Sequence, residues 1–163
     1  MTQRNLFAIA PVLEERFQHG GAFLSVPGPN TMTIGWGGTM TFFGKPCLLV
    51  AVRRSRYTWP LLEAARRFTV SVPLHEMRAE LAYAGTRSGR EGNKFEGHGL
   101  TAEPAQRVDA PIVAECELHM ECVVRAAFDM RESAIDPTVL ARYYGDRDLH
   151  TLYVGEVLAC YEK

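Results

Sequence analysis

The apolar run CLLVAV ends in Arg53-Arg54-Ser55-Arg56-Tyr57-Thr58. Three guanidiniums in four positions repel one another and do not share a dry core, so the stretch is either a solvated strand end or the seat of an anion. A helix reads onward from it: Pro60 fits a first turn, and Leu61, Leu62, Ala65 and Phe68 recur at helical spacing. The junction places Ser55, Arg56, Tyr57 and Thr58 at a helix N-terminus. There, free N–H groups and the helix dipole add to hydroxyl and guanidinium donors. That chemistry suits a phosphate monoester. The other reading is that Ser55 or Thr58 caps the helix while the arginines face water, and this stretch alone leaves both open.

A second stretch, NTMTIGWGGTM over residues 30–40, gathers Asn30, Thr31, Met32, Thr33 and Thr39 on short strands around Trp36, which glycines flank. Amides and small hydroxyls beside an indole suit a flat heterocycle, which takes stacking plus hydrogen bonds along its edge. The alternative is a barrel strand with one buried tryptophan. Other motifs fail on spacing. HEMRA at His75 has Ala79 where a zinc site needs a second histidine. GTRSGREGNK is glycine-rich but lacks the Walker pattern, and no GxGxxG opens a βαβ unit. His119 reads as a surface histidine on the wet face of a strand.

These residues need a scaffold, and the rest of the chain reads as mostly strand. The strands are AFLSV, TMTIGW, Thr39 to Phe43, CLLVAV, FTVSV and HTLYVGEVLACY, the last with a bulge or bend at Gly155. In IVAECELHMECVVRAA the residues Ile112, Ala114, Cys116, Leu118, Met120, Cys122, Val124 and Ala126 fall on one face. Glu115, Glu117, His119, Glu121 and Arg125 fall on the other, as in a long antiparallel strand with a dry and a wet side. HEMRAELAYAG reads as a short helix closed by Gly85, and residues 129–148 as an excursion with a helix from Pro137 to Tyr144. The expected fold is mainly β: one domain over 1–163, an antiparallel Greek-key split β-barrel with two or three short helices.

The 163 residues are 47% hydrophobic and carry a formal net charge of −1, enough for a packed core and too neutral for general nucleic-acid binding. The basic cluster is therefore local, which favours a small anionic ligand. No apolar stretch has the length of a signal peptide or a bilayer span, so cytoplasmic location and no membrane partner are expected. Cys47, Cys116, Cys122 and Cys160 have no CxxC spacing and read as reduced thiols, the last three as core residues. No metal site is expected.

Taken in order, NTMTIGW, KPCLLVAV running into SRYT, FTVSVP, NKFEGHGL, AEPAQRVDAPIVAECELHMEC and HTLYVGEVL resemble the flavin reductase-like, FMN-binding split-barrel family. That family includes flavoredoxin and the small reductase components of two-component monooxygenases. The resemblance implies a homodimer with FMN near the subunit interface. Ser55, Arg56 and Thr58 match its phosphate-binding turn, and Asn30 to Thr33 its ring-edge segment, with Trp36 and Thr39 nearby. Lys94 matches the lysine of its KF motif, a cation for the flavin N1–C2 carbonyl end. His150 matches a histidine near the open flavin face. Here the family's GDH turn reads GDRDLH, and the excursion over 129–148 is longer than the common loop.

The activity so implied is an NAD(P)H-dependent flavin reductase that delivers reduced flavin to a monooxygenase component or another acceptor. The competing expectations are a flavoredoxin-like FMN electron carrier fed by a protein donor, and a non-catalytic flavin-binding barrel.

Overall fold

A computed structural model describes residues 1–163. Its strands in chain order are β1 (Thr2–Gln3), β2 (Ala22–Val26), β3 (Asn30–Ile34), β4 (Gly37–Phe42), β5 (Lys45–Arg53), β6 (Arg67–Val72), β7 (Ala102–Glu103), β8 (Ile112–Val113), β9 (Leu118–Asp129) and β10 (His150–Glu162). Four helices join them: α1 (Leu6–His19), α2 (Thr58–Ala65), α3 (Arg78–Thr86) and α4 (Pro137–Tyr143).

The main sheet is antiparallel and runs β3-β2-β6-β9-β10-β5-β4, with β1 added to β10. The chain leaves β5 through α2 and enters β6 beside β2, which gives the Greek-key order. The ends of the path, β3 and β4, are consecutive in the chain yet share no ladder, so the sheet curls without closing. Gly35 and Trp36 bridge this seam. Leu24, Leu48, Val50, Phe68, Val70, Met120, Cys122 and Tyr153 fill the interior and are fully buried. Gly155 stands at a register shift between β9 and β10, where a Cβ would lie 2.6 Å from the Phe68 ring. The bend predicted there is required by packing.

Helix α1 is one helix more than the sequence pattern suggests. Asn5 caps it by accepting from the Phe7 N–H at 2.9 Å, and Leu6, Ile9, Leu13 and Phe17 form its buried stripe. Pro11 obscures the pattern, but it sits on the exposed side, where a missing main-chain bond is tolerated. Helix α2 stops at Ala65 because Arg66 is left-handed (φ 55°), so Phe68 belongs to β6 and not to the helix.

The expected long strand over 112–127 is broken at residues 114–117: Ile112–Val113 pairs with Ala102–Glu103, and the main sheet takes over at Leu118. From there Leu118, Met120, Cys122 and Val124 point inward as expected. The other face is not wet near its start. His119 and Glu121 are fully buried, which corrects their reading as surface residues. The segment after β7 covers them: Glu121 accepts from the N–H groups of Gln106, Arg107 and Val108, and Val113 N–H donates to Ser71 Oγ, which contacts His119 Nδ1 at 3.0 Å. Burial holds the His119 imidazole neutral, with its pKa lowered to about 4. All four cysteines are free and buried. No helix is long and apolar enough to cross a membrane.

Candidate functional site

The seam is where the sheet leaves main-chain groups unpaired, since β3 is an edge strand. Ala51 N–H donates to the Trp36 carbonyl at 3.1 Å, pinning the bridge against β5. His150 opens β10 opposite Arg53 of β5. A hollow of about 180 Å³ forms between them, lined by Met32, Thr33, Trp36, Arg53, Arg56 and His150 among others. Trp36 is 44% exposed, so the buried-tryptophan reading does not hold. Its ring lies 4.9 Å from the His150 ring, and Tyr143 meets it edge-on at 5.5 Å.

His150 is nearly buried, and its Nδ1 is 2.7 Å from the Tyr144 hydroxyl. Burial and the Arg53 guanidinium lower its pKa to about 4. The imidazole is therefore neutral at pH 7: it offers a flat polarizable surface and a fixed hydrogen bond, not a proton.

A second hollow, about 200 Å³, adjoins the first, and Met32 and Arg56 line both. Ser55, Tyr57, Thr58, Ser88, Arg90 and Lys94 also face it. Arg56 donates to the Gly85 carbonyl at 2.8 Å, which holds its guanidinium at the junction of the two hollows. Helix α2 has no side-chain cap, so the reading in which Ser55 or Thr58 serves as the cap is also excluded. Thr58 Oγ1 instead accepts from Asn30 Nδ2 at 2.8 Å, and both residues are buried. Gly89 lies so close to this pair that a Cβ there would sit 2.2 Å from Asn30 Oδ1 and 2.5 Å from the Tyr57 ring. The loop after α3 thus reaches the helix N-terminus only through a glycine.

Where the arginine run goes is now visible. Arg53 bonds both Asp146 oxygens at 3.2 Å and the Tyr143 carbonyl at 2.9 Å, and Arg54 pairs with Asp129 at 2.8 Å. Ser55 donates to the Asp148 carboxylate from its N–H at 3.2 Å and from its hydroxyl at 2.6 Å. The excursion therefore folds back on its own chain, and α4 sets Tyr143 and Tyr144 against Trp36 and His150. Of the three arginines, Arg56 alone faces both hollows.

The other predicted residues divide. Lys94 is buried and lines the same hollow as Ser55–Thr58, its ammonium donating to the Thr31 and Ala84 carbonyls at 2.8 Å each. Desolvation and the nearby Arg56 lower its pKa to about 8, so it remains mostly charged at pH 7. Thr31 turns its hydroxyl into the sheet, accepting from Ser25 at 3.0 Å and donating to the Leu24 carbonyl. Thr33 donates to the Leu81 carbonyl at 2.5 Å while lining the ring-sized hollow. Thr39 lies on β4 against α1, its N–H held by Glu14 at 3.2 Å, and lines neither hollow.

Arg87, Ser88 and Arg90 also line the second hollow, although GTRSGREGNK lacks the Walker spacing that would mark it as a phosphate loop. Its guanidiniums and hydroxyl are the same donor types as Ser55-Arg56-Tyr57-Thr58, and that repetition was the available signal. Arg90 donates to the Ser55 carbonyl at 3.2 Å and lies over the Tyr57 ring at 5.3 Å.

Residues 15–163 match the model of the flavin reductase like domain. An uncharacterized protein of Archaeoglobus fulgidus is 36% identical over 131 residues, 80% of this chain and 63% of that protein. An uncharacterized protein of Pyrococcus abyssi is 32% identical over 131 residues, 80% of this chain and 64% of that protein. The chain thus spans less than two thirds of the length of either relative. Flavoredoxin of Desulfovibrio vulgaris (Miyazaki F) superposes with a TM-score of 0.68 at 25% identity, over 88% of this chain and 70% of that one. The NADH:FAD oxidoreductase SgcE6 of Streptomyces globisporus C-1027 gives a TM-score of 0.69 at 20% identity, over 88% and 75% of the two chains, a likeness of fold.

Proposed function

Because the chain belongs to the flavin reductase-like domain family, we propose that it binds FMN across the two joined hollows and reduces it with NADH or NADPH. The observation that carries this reading is the pairing itself. A hollow rich in guanidinium and hydroxyl donors adjoins one walled by an indole and a neutral imidazole, and Arg56 belongs to both. The donor set fits a phosphate at one end and a flat ring at the other. Bound FMN would supply the electron-accepting ring. The chain's own part is to hold the phosphate with Arg56, Ser88 and Arg90, and to place the ring beside Trp36 and the open edge of β3. Lys94 would supply positive charge from beneath. Such a reaction depends on proximity and orientation more than on an acid or base, consistent with a histidine that stays neutral.

The reading also takes the protein as a cytoplasmic homodimer that hands electrons to a monooxygenase component or another acceptor. One observation favours the flavoredoxin-like carrier as the second reading: Tyr143 and Tyr144 stand against the ring end of the seam and narrow the approach of a nicotinamide. The two separate in one anaerobic titration of FMN-loaded protein, followed by its visible spectrum. Bleaching of the flavin bands by NADH or NADPH is the expected result. Bound flavin that stays oxidised with both would sink the reductase reading in favour of the carrier.

Asp148 sets a second expectation. Its carboxylate holds the Ser55 donors and brings a negative charge to the phosphate end. Asp148→Asn keeps an acceptor for Ser55 and removes the charge, so FMN affinity should rise about fivefold at low salt, with the gain shrinking as salt is added. Fluorescence titration reads this directly. Affinity unchanged at every ionic strength would mean that the phosphate does not approach Ser55.

A further inference from the structure

A third hollow, about 300 Å³, lies beside the ring-sized one, and Thr33 lines both. Its walls are the last turn of α1, the Gly20-Gly21 turn and the start of α3. Gly21 has φ +99°, and a Cβ there would lie 2.6 Å from the Ile34 carbonyl oxygen and 2.9 Å from Thr33 Cγ2. On this side the wall is bare main chain pressed against the end of β3, and Thr33 of that strand end borders both hollows.

The charges around it are mainly positive. Arg16 spends one guanidinium bond on the Leu74 carbonyl, at 2.9 Å, and keeps its other donors. His19 is exposed at the rim. Arg78 pairs only with Glu76, at 3.2 Å, with the two side chains 89% and 75% exposed, a contact of little worth in water. His75 also lines the hollow but is held by Glu117 at 2.7 Å, so it is already committed. Two arginines thus face a hollow that holds one loosely bound carboxylate, and Leu81 and Met77 give its base an apolar patch.

We propose that this hollow takes a phosphate group of the nicotinamide coenzyme whose ring enters the seam. The inference rests on the reductase reading above. A dinucleotide laid over Thr33 would have its nicotinamide against the flavin ring held beside Trp36 and its phosphates between Arg16 and Arg78. Guanidiniums suit that role because they meet phosphate oxygens two at a time. The FMN phosphate has its own donors at Arg56, Ser88 and Arg90, so the two anions do not compete.

The test is calorimetric binding of ADP-ribose and of 2′-phospho-ADP-ribose to the purified protein, with FMN titration alongside as a control of fold. Arg16→Gln/Arg78→Gln should weaken probe binding about tenfold, the loss expected from charge-assisted hydrogen bonds, and leave FMN affinity unchanged. Arg78→Gln alone, in a side chain free of packing duties, should give part of that loss. Glu76→Gln should tighten both probes about twofold. Loss confined to 2′-phospho-ADP-ribose would assign the hollow to the 2′-phosphate and the protein to NADPH, whereas equal loss would assign it to the pyrophosphate. Probe affinity that is the same in the double variant as in the wild type overturns the proposal, as does wild-type protein that binds neither probe at millimolar concentration. In either case, FMN still bleached by NADH would leave the reductase reading standing. FMN that neither coenzyme reduces would remove that reading and this inference with it.

Discussion

Arg56→Ala is expected to lower FMN affinity about a hundredfold, the largest change of any single substitution at the seam. The guanidinium is fixed by its bond to the Gly85 carbonyl and borders both hollows, so it can meet a phosphate without first ordering itself. Hydrogen bonds to charged groups contribute roughly 1.5–3 kcal/mol each, and two of them account for a hundredfold change. Arg56→Lys should recover part of the loss, because an ammonium keeps the charge and gives up the planar fork. Arg54→Ala is the control. Arg54 is bound to Asp129 on the surface, 48% and 57% exposed in the two side chains, and its removal should change FMN affinity less than about threefold. Flavin fluorescence quenching measures all three. Arg56→Ala within threefold of wild type would mean that the phosphate is held elsewhere.

The contrast between Arg54 and Arg56 shows what the sequence can and cannot carry. Composition and spacing mark Arg53 to Thr58 as either a solvated strand end or the seat of an anion, and leave both open. They were not enough to say that the chain supplies much of that anion itself. Arg53 and Asp146 are 93 positions apart, and no local pattern links them. Alternation behaved in the same way along β9. It identified which residues share a face, and Leu118, Met120, Cys122 and Val124 do form the core side. It could not report that residues 104–113 fold over the other face, so His119 and Glu121 were read as wet. Helix α1 failed for a different reason. Its cap and stripe are present in Asn5, Leu6, Ile9, Leu13 and Phe17, but Pro11 outweighs them until it is known to face solvent. The candidate site was legible where its residues adjoin in sequence, as in 30–36 and 55–58. It was illegible where α4 and the loop at 87–90 arrive from a distance.

Glu121 tests the buried face directly. Its carboxylate is fully buried, yet it has no cationic partner within hydrogen-bond distance; four neutral donors surround it instead. Gln106 N–H lies at 2.8 Å, Arg107 N–H at 2.6 Å, Val108 N–H at 3.2 Å, and the Tyr161 hydroxyl at 2.8 Å. One side chain thereby fastens the segment after β7 and the end of β10 to the middle of the sheet. Glu121→Ala would strand those donors and leave a cavity, and each buried donor without a partner costs about 1–3 kcal/mol. Some donors would recover water as the segment lifts, so the expected net loss is about 4 kcal/mol, a quarter or more of the stability of an ordinary domain. Glu121→Gln keeps one acceptor but turns an amide toward N–H groups, and should lose about half as much. The urea midpoint should fall in both, with the slope of the transition unchanged. Because β9 is the middle strand of the path whose ends form the seam, FMN affinity below the melting temperature should not move. A stable Glu121→Ala protein would show that water satisfies these donors; lost FMN binding in a folded one would show that the covered face and the seam are coupled.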